Sequence, residues 1–203
     1  MDVKEQILEK SLEMFMRYGI KSVSMDDIAR KVGVSKKTVY QHVPDKRDLV
    51  KQTFERHLCA DEFFCTQMMD ETNNPIQQLL NLAKHVVGNF SQMNPSTMFD
   101  VQKYYPSSWT LFDEHKNTYI KNQVIQNLEL GIKSGLYRPE LNIEIISKLY
   151  ICLIDASVNP DTFPSKDFDR VAIFVQLFDY HLHAIMTPEG NAYFNSHKES
   201  FFD

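Results

Sequence analysis

The sequence predicts an all-α protein of about nine helices, with a three-helix N-terminal domain leading into a larger helical domain. Three observations point there. Apolar residues recur at helical spacing almost everywhere, and no run alternates every second residue as a strand would. Pro, Gly and Asn clusters cut the chain into pieces of helix length. With 43% apolar and 24% charged residues over 203 positions, there is material for a sizeable core.

The first helix places Ile7, Ser11, Met14, Phe15 and Tyr18 on one face and ends at Gly19. Ser24 opens a second, short helix with Asp27 as its capping-box partner, running through Ile28 and Ala29 to Val32. Gly33 gives the turn its backbone freedom, and Ser35 caps a third helix over 36–42. Pro44-Asp45 restarts the chain into a long helix, capped by Asp45, that reaches 71 before Thr72-Asn73-Asn74-Pro75 breaks it. Ile76, Leu79, Leu80, Ala83, Val87 and Phe90 form the stripe of the next. Asn94-Pro95-Ser96 and Tyr105-Pro106-Ser107-Ser108 bound a shorter helix, and a further one runs from about 109 to 134, stopping at Gly135. The last two lie near 143–158 and 167–186, separated by Asn159-Pro160 and Pro164. The domain boundaries expected are 1–48, 49–187 and a tail, 188–203, whose Tyr193, Phe194, Phe201 and Phe202 leave open whether it packs as an arm.

The formal net charge is −5, but it is unevenly spread. Residues 1–57 carry twelve basic against nine acidic side chains, a net of +3, and the remainder a net of −8. A basic head on an acidic body suggests a local polyanion site, although a solvated charged surface would give the same count. Three cysteines (Cys59, Cys65, Cys152) without a CxxC pair or a signal peptide fit reduced thiols and a cytoplasmic location. The longest apolar run, 149–154, is too short to span a bilayer. No glycine-rich phosphate loop, nucleophile elbow or HExxH occurs, and His181-x-His183 places its imidazoles on different helix faces. The expectation is a non-enzyme with no cofactor and no metal.

Helix, three-residue turn with glycine, helix is the helix-turn-helix pattern. The third helix, Lys36-Lys37-Thr38-Val39-Tyr40-Gln41-His42, needs only Val39 in a core; its other side chains can all bond phosphates or base edges. The stretch from Tyr18-Gly19 through Ser24, Ile28-Ala29, Gly33-Val34-Ser35, Thr38-Val39-Tyr40, His42 and Lys46-x-x-Leu49 resembles the DNA-binding domain of the tetracycline-repressor (TetR) family. Ile7-Leu8, Leu12 and Phe15 match that family's first helix, and the 135–142 segment looks like its connection into the eighth. Val43 stands where a Phe is usual and Lys37 where a small residue is common.

The resemblance implies DNA contacts from Ser24, Ser35, Lys36, Lys37, Thr38, Tyr40, Gln41, His42 and Lys46. Lys37, Thr38 and Gln41 would meet base edges in the major groove. Tyr40 and His42 would hold phosphates, while Ser24 and Lys46 would clamp the backbone from helix N-termini. Tyr40 also reads as a core aromatic with its hydroxyl at the surface.

The implied function is a repressor, released from a palindromic double-stranded DNA operator by a small apolar or aromatic effector. The alternative is a helical adaptor that kept the fold and lost operator reading. Candidate effector residues are Phe64, Phe90, Phe112, Tyr119, Tyr150 and Asp155. Asp155, in an apolar helix, is open to three roles: binding a cationic ligand, pairing with a basic residue, or capping a partner's helix. The last two long helices are apolar on more than one face, so a homodimer interface through both, with Phe174, Phe178 and Leu182 on the second, is expected.

Overall fold

The computed structural model describes residues 2–198, whose regular elements are all helices, with no β-strand among them. In order they form α1 (Val3–Tyr18), α2 (Met25–Val32), α3 (Lys36–His42), α4 (Lys46–Asp70), α5 (Pro75–Gln92) and α6 (Ser96–Tyr104). Then come α7 (Pro106–His115), α8 (Lys121–Lys133), α9 (Ile143–Val158), α10 (Arg170–Ile185) and α11 (Pro188–His197). A π-helical turn, Lys116–Ile120, joins α7 to α8. With α7, that turn and α8 counted together, the nine expected helices are all present among the described residues and α11 is the addition. Thr187 caps α11, Pro188 fills its first position and Phe194 is buried, so this part of the tail is folded. Phe201 and Phe202 lie outside the described residues.

The chain divides into two compact units. The first combines residues Met1–Asp61 with Gln92–His115. Its core gathers Ile7 and Phe15 from α1, Ile28 from α2, Val39 from α3, Leu49 and Val50 from α4, and Val101 from α6. The α6 segment is stitched to α1 by polar bonds: the Thr97 hydroxyl donates to the Phe15 carbonyl (3.0 Å), and the Asn94 N–H to that of Met16 (2.5 Å). Arg56 on α4 reaches back to Glu5 on α1 at 2.9 Å.

The second unit takes Glu62–Ser91 and Lys116–Asp203. Ile76, Leu79 and Leu80 from α5 meet Leu128 of α8, Tyr150 of α9 and Phe178, Leu182 and Ile185 of α10. A satisfied polar network crosses this core. Asn127 donates to the Pro75 carbonyl (2.9 Å) and Gln78 Oε1 (3.0 Å), and accepts from the Tyr137 hydroxyl (3.0 Å). The Tyr137 ring lies so close over α8 that a Cβ at Gly131 would come within 1.9 Å of it, hence the glycine there.

The expected subunit-interface stripe is corrected by this packing. Phe174, Phe178 and Leu182 are only 4%, 3% and 2% exposed within a single chain. They face the chain's own α5, α8 and α9 core, where each such side chain contributes roughly 1.5–3 kcal/mol of burial. Other residues of the same two helices are left open. α9 exposes Ile145, Leu149 and Cys152, and α10 exposes Ala172, Gln176 and Tyr180.

Candidate nucleic-acid interface

The corner between α2 and α3 is set by three local devices. The Ser24 hydroxyl accepts from the Asp27 N–H (3.2 Å) while the Asp27 carboxylate accepts from the Ser24 N–H (2.9 Å), a reciprocal capping box of the kind the spacing predicts. The Ser24 hydroxyl also donates to the Asp27 carboxylate (2.6 Å), and this bond first, then the one from the Ser24 N–H, holds the carboxyl below its ordinary range. Gly33 ends α2 in the left-handed region at φ 80°, where a side chain would be strained. Ser35 then caps α3 by accepting from the Thr38 N–H (3.0 Å), a contribution of about 1 kcal/mol.

α3 is consequently almost all surface. Val39 alone is buried; Lys36, Lys37, Tyr40 and Gln41 are exposed, and Thr38 and His42 are half-buried. Tyr40 is 43% exposed, while Val43 takes the adjacent buried position, so the core-aromatic alternative for Tyr40 has no support in the packing.

Several expected contact residues already have internal partners. Lys36 pairs with Asp26 at 2.9 Å, and the Asp26 hydrogen bond raises the ammonium's pKa. Lys46 donates to the Ile20 carbonyl at 2.6 Å; burial lowers its pKa, partly offset by Asp100 and Asp27. The Ser35 hydroxyl also bonds the Thr38 hydroxyl (2.8 Å). Sequence spacing gave no warning of Asp26, ten residues from Lys36, nor of Asp100, whose carboxylate accepts the Lys21 backbone N–H at 3.0 Å. Beside it, the Lys21 ammonium lies 5.1 Å from the Tyr104 ring.

Each candidate effector residue has its own neighbours. Phe112 belongs to the first unit, where its ring lies 5.4 Å from that of Trp109. The other five belong to the second unit, each with its own neighbour. Phe64 contacts His85 (4.6 Å between rings), Phe90 stacks on Phe174 (4.2 Å), and Tyr150 packs on His181 (4.5 Å). The Tyr119 hydroxyl donates to the Glu62 carbonyl (2.8 Å) and bonds Thr66 (2.9 Å). Asp155, half-exposed, pairs with the buried ammonium of Lys116. Of the three roles open to it, the structure takes the ion pair, so the carboxylate is not a bare charge awaiting a cationic ligand. His181 is buried and His183 exposed, on separate faces as the spacing predicts.

Comparison with known proteins places the helix-turn-helix in context. Residues 7–53 match the model for bacterial regulatory proteins of the tetR family. The chain is 27% identical over 159 residues to the HTH-type transcriptional regulator YhgD of Bacillus subtilis, covering 75% of this chain and 83% of that protein. It is 22% identical over 146 residues to the transcriptional repressor KstR2 of Mycobacterium tuberculosis, covering 70% and 72%. In fold it resembles a transcriptional regulator from Saccharomonospora viridis solved in complex with choline. The TM-score is 0.69 at 17% identity, over 91% of this chain and 97% of that one.

Proposed function

Residues 7–53 form the DNA-binding domain of a TetR-family transcriptional regulator, and from that premise we propose that the chain is a homodimeric repressor. It binds a palindromic operator in the cytoplasm and leaves it when a small, largely apolar effector is bound. The observation that carries the reading is α3, which gives one side chain to the core and turns the rest of its polar surface outward. Lys37, Thr38 and Gln41 read bases, whereas Tyr40, His42, Lys36 and the capped N-termini at Ser24, Ser35 and Lys46 hold phosphates. Lys36 exchanges Asp26 for a phosphate on binding.

Dimerisation supplies the second half-site, with paired α3 helices entering major grooves about 34–36 Å, or a multiple of that, apart. The open apolar positions Ile145, Leu149 and Cys152 of α9 and Tyr180 of α10 support a dimer surface there. Effector control follows by linkage: a ligand favouring a conformation with mis-spaced α3 helices lowers operator affinity by its preference for that conformation.

The test is selection of DNA from a random pool with the parent and with Gln41→Ala. The parent should enrich an inverted repeat, and the variant should relax one position per half-site, costing about 1–3 kcal/mol there. Failure to enrich any sequence would favour an adaptor that kept the fold without operator reading.

A further inference from the structure

Three metal-ligating side chains of different chemistry meet where α4 and α5 run side by side. Asp61 and Cys65 stand one turn apart on the continuous helix α4, at the i, i+4 spacing that His181 and His183 lack. His85 comes from α5. One ligand atom of each, a carboxylate oxygen, the thiol sulfur and an imidazole nitrogen, lies within 4.8 Å of the other two. Around a tetrahedral zinc ion, with bonds of about 2.0–2.3 Å, neighbouring ligand atoms stand about 3.5 Å apart. Side-chain adjustments of about 1 Å therefore bring the three onto one ion. The third ligand lies beyond the turn after α4, so no local motif announces the set.

The neighbouring groups suit a ligand set. Cys65 is buried, while Asp61 and His85 are half-buried, so solvent reaches the cluster from the carboxylate and imidazole side. The Asn89 side chain engages His85 Nε2 at 3.0 Å, and the Phe64 ring packs 4.6 Å from the imidazole. These contacts fix the ring and make Nδ1 its ligand atom, as outer-shell groups do for a metal-bound histidine. The donor types select the ion. Hard cations such as Ca²⁺ and Mg²⁺ take oxygen ligands, and here only the carboxylate supplies one. Thiolate, imidazole and carboxylate together suit Zn²⁺, and three protein ligands leave a fourth position for water.

We propose that Asp61, Cys65 and His85 form a zinc-type metal site. Cys65 binds as the thiolate after passing its proton to solvent, and a water completes the tetrahedron. The exposed Cys59 and Cys152 take no part.

The test uses the full-length protein, stripped with a chelator, and Co²⁺ as the spectroscopic probe. The parent should bind about one Co²⁺ per chain, with a thiolate-to-cobalt charge-transfer band and the strong visible bands of a tetrahedral site. Zn²⁺ should bleach both, and should raise the melting temperature by linkage. Asn89→Ala, which removes only a group holding the ring, should cost about ten- to a hundredfold in Zn²⁺ affinity, and Cys65→Ser or His85→Gln more. His85→Gln, at a half-buried position, gives the reading if Cys65→Ser fails to fold. Cys59→Ser and Cys152→Ser should keep the full spectrum. No charge-transfer band in the parent, or Zn²⁺ affinity unchanged in Cys65→Ser or His85→Gln, overturns the proposal. A band lost with Cys59→Ser or Cys152→Ser assigns the metal to a surface thiol and overturns it too. Operator selection is a separate readout, so loss of the metal site would leave the proposed function standing.

Discussion

The backbone N–H of Lys21 donates to the buried carboxylate of Asp100 at 3.0 Å, joining positions 79 residues apart. Lys21 sits in the loop that leads into α2, and Asp100 is in the middle of α6, so the lead-in to the helix-turn-helix is held by a helix far along the chain. The same carboxylate opposes the burial cost of Lys46, whose ammonium holds the Ile20 carbonyl. Asp100→Ala should therefore destabilise the first unit by about 1.5–3 kcal/mol, the range for a hydrogen bond to a charged acceptor. Urea denaturation would measure it; an unchanged midpoint would show that the loop holds its shape without α6.

The Lys36–Asp26 pair leads to a second expectation. Both groups are largely exposed, so the pair adds little to stability, but Lys36 must leave Asp26 before it can meet a phosphate. Asp26→Asn should leave the melting temperature unchanged and tighten binding to every DNA sequence alike. The slope of log K against log salt should stay the same, because Lys36 meets its phosphate in both proteins. Titrations at several salt concentrations would decide it, and a gain confined to one operator sequence would contradict a phosphate role.

These two contacts mark the limit of what the sequence makes legible. The Ser24–Asp27 box, the Gly33 turn and the Ser35 cap are local rules operating over three or four residues, and each is found where the spacing puts it. The partner of Lys36 and the grip of Asp100 on Lys21 depend on how helices pack, which no spacing encodes. The same reason misplaced Phe174, Phe178 and Leu182. An apolar stripe shows that a face is covered, not whether a neighbouring helix or a second subunit covers it. Asp155 was conspicuous in sequence because it lacked a local partner; Lys116, 39 positions away, is that partner.

Thr53 has a hydroxyl buried in the first unit with no hydrogen-bond partner. Thr53→Val keeps the shape and removes a desolvated polar atom, so it should stabilise the protein by about 1 kcal/mol. The midpoint in urea should rise with the slope unchanged. A fall would mean that the hydroxyl is satisfied in solution, by water.

His181 gives the protein an acid-sensitive core. Burial against the Tyr150 ring pushes its pKa down to about 4 from an ordinary value near 6.5. Above pH 6.5 the imidazole is neutral in both folded and unfolded chains, and its contribution is constant. Between 6.5 and 4 the unfolded chain takes up a proton that the folded one refuses, so stability falls as pH drops, by a few kcal/mol (roughly 1.4 per pH unit). His181→Phe, which preserves the ring contact, should remove this component. Denaturation of both proteins at pH 7.5 and 5 would show the variant losing less; equal losses would assign the acid sensitivity to other groups.

The packing of α10 finally separates two substitutions that the sequence alone would treat alike. Phe178 is 3% exposed inside the second unit, whereas Leu149 on α9 is 54% exposed and, with Ile145 at 55%, leaves an apolar strip open. A glutamate at 178 would bury a charge with no partner, costing more than about 4 kcal/mol, enough to unfold a domain of ordinary stability. At 149 a glutamate remains in water in the isolated chain, so the monomer should keep its helical content and cooperative melting. What it disturbs is association: a charge at the centre of an apolar contact must be desolvated twice in a symmetric pair, once from each subunit. Leu149→Glu should therefore sediment as a folded monomer at micromolar concentration and bind an inverted repeat far more weakly than the parent does, because each half-site then binds alone. Phe178→Glu should lose structure and binding together. A Leu149→Glu variant that remained dimeric would move the subunit contact away from the open face of α9.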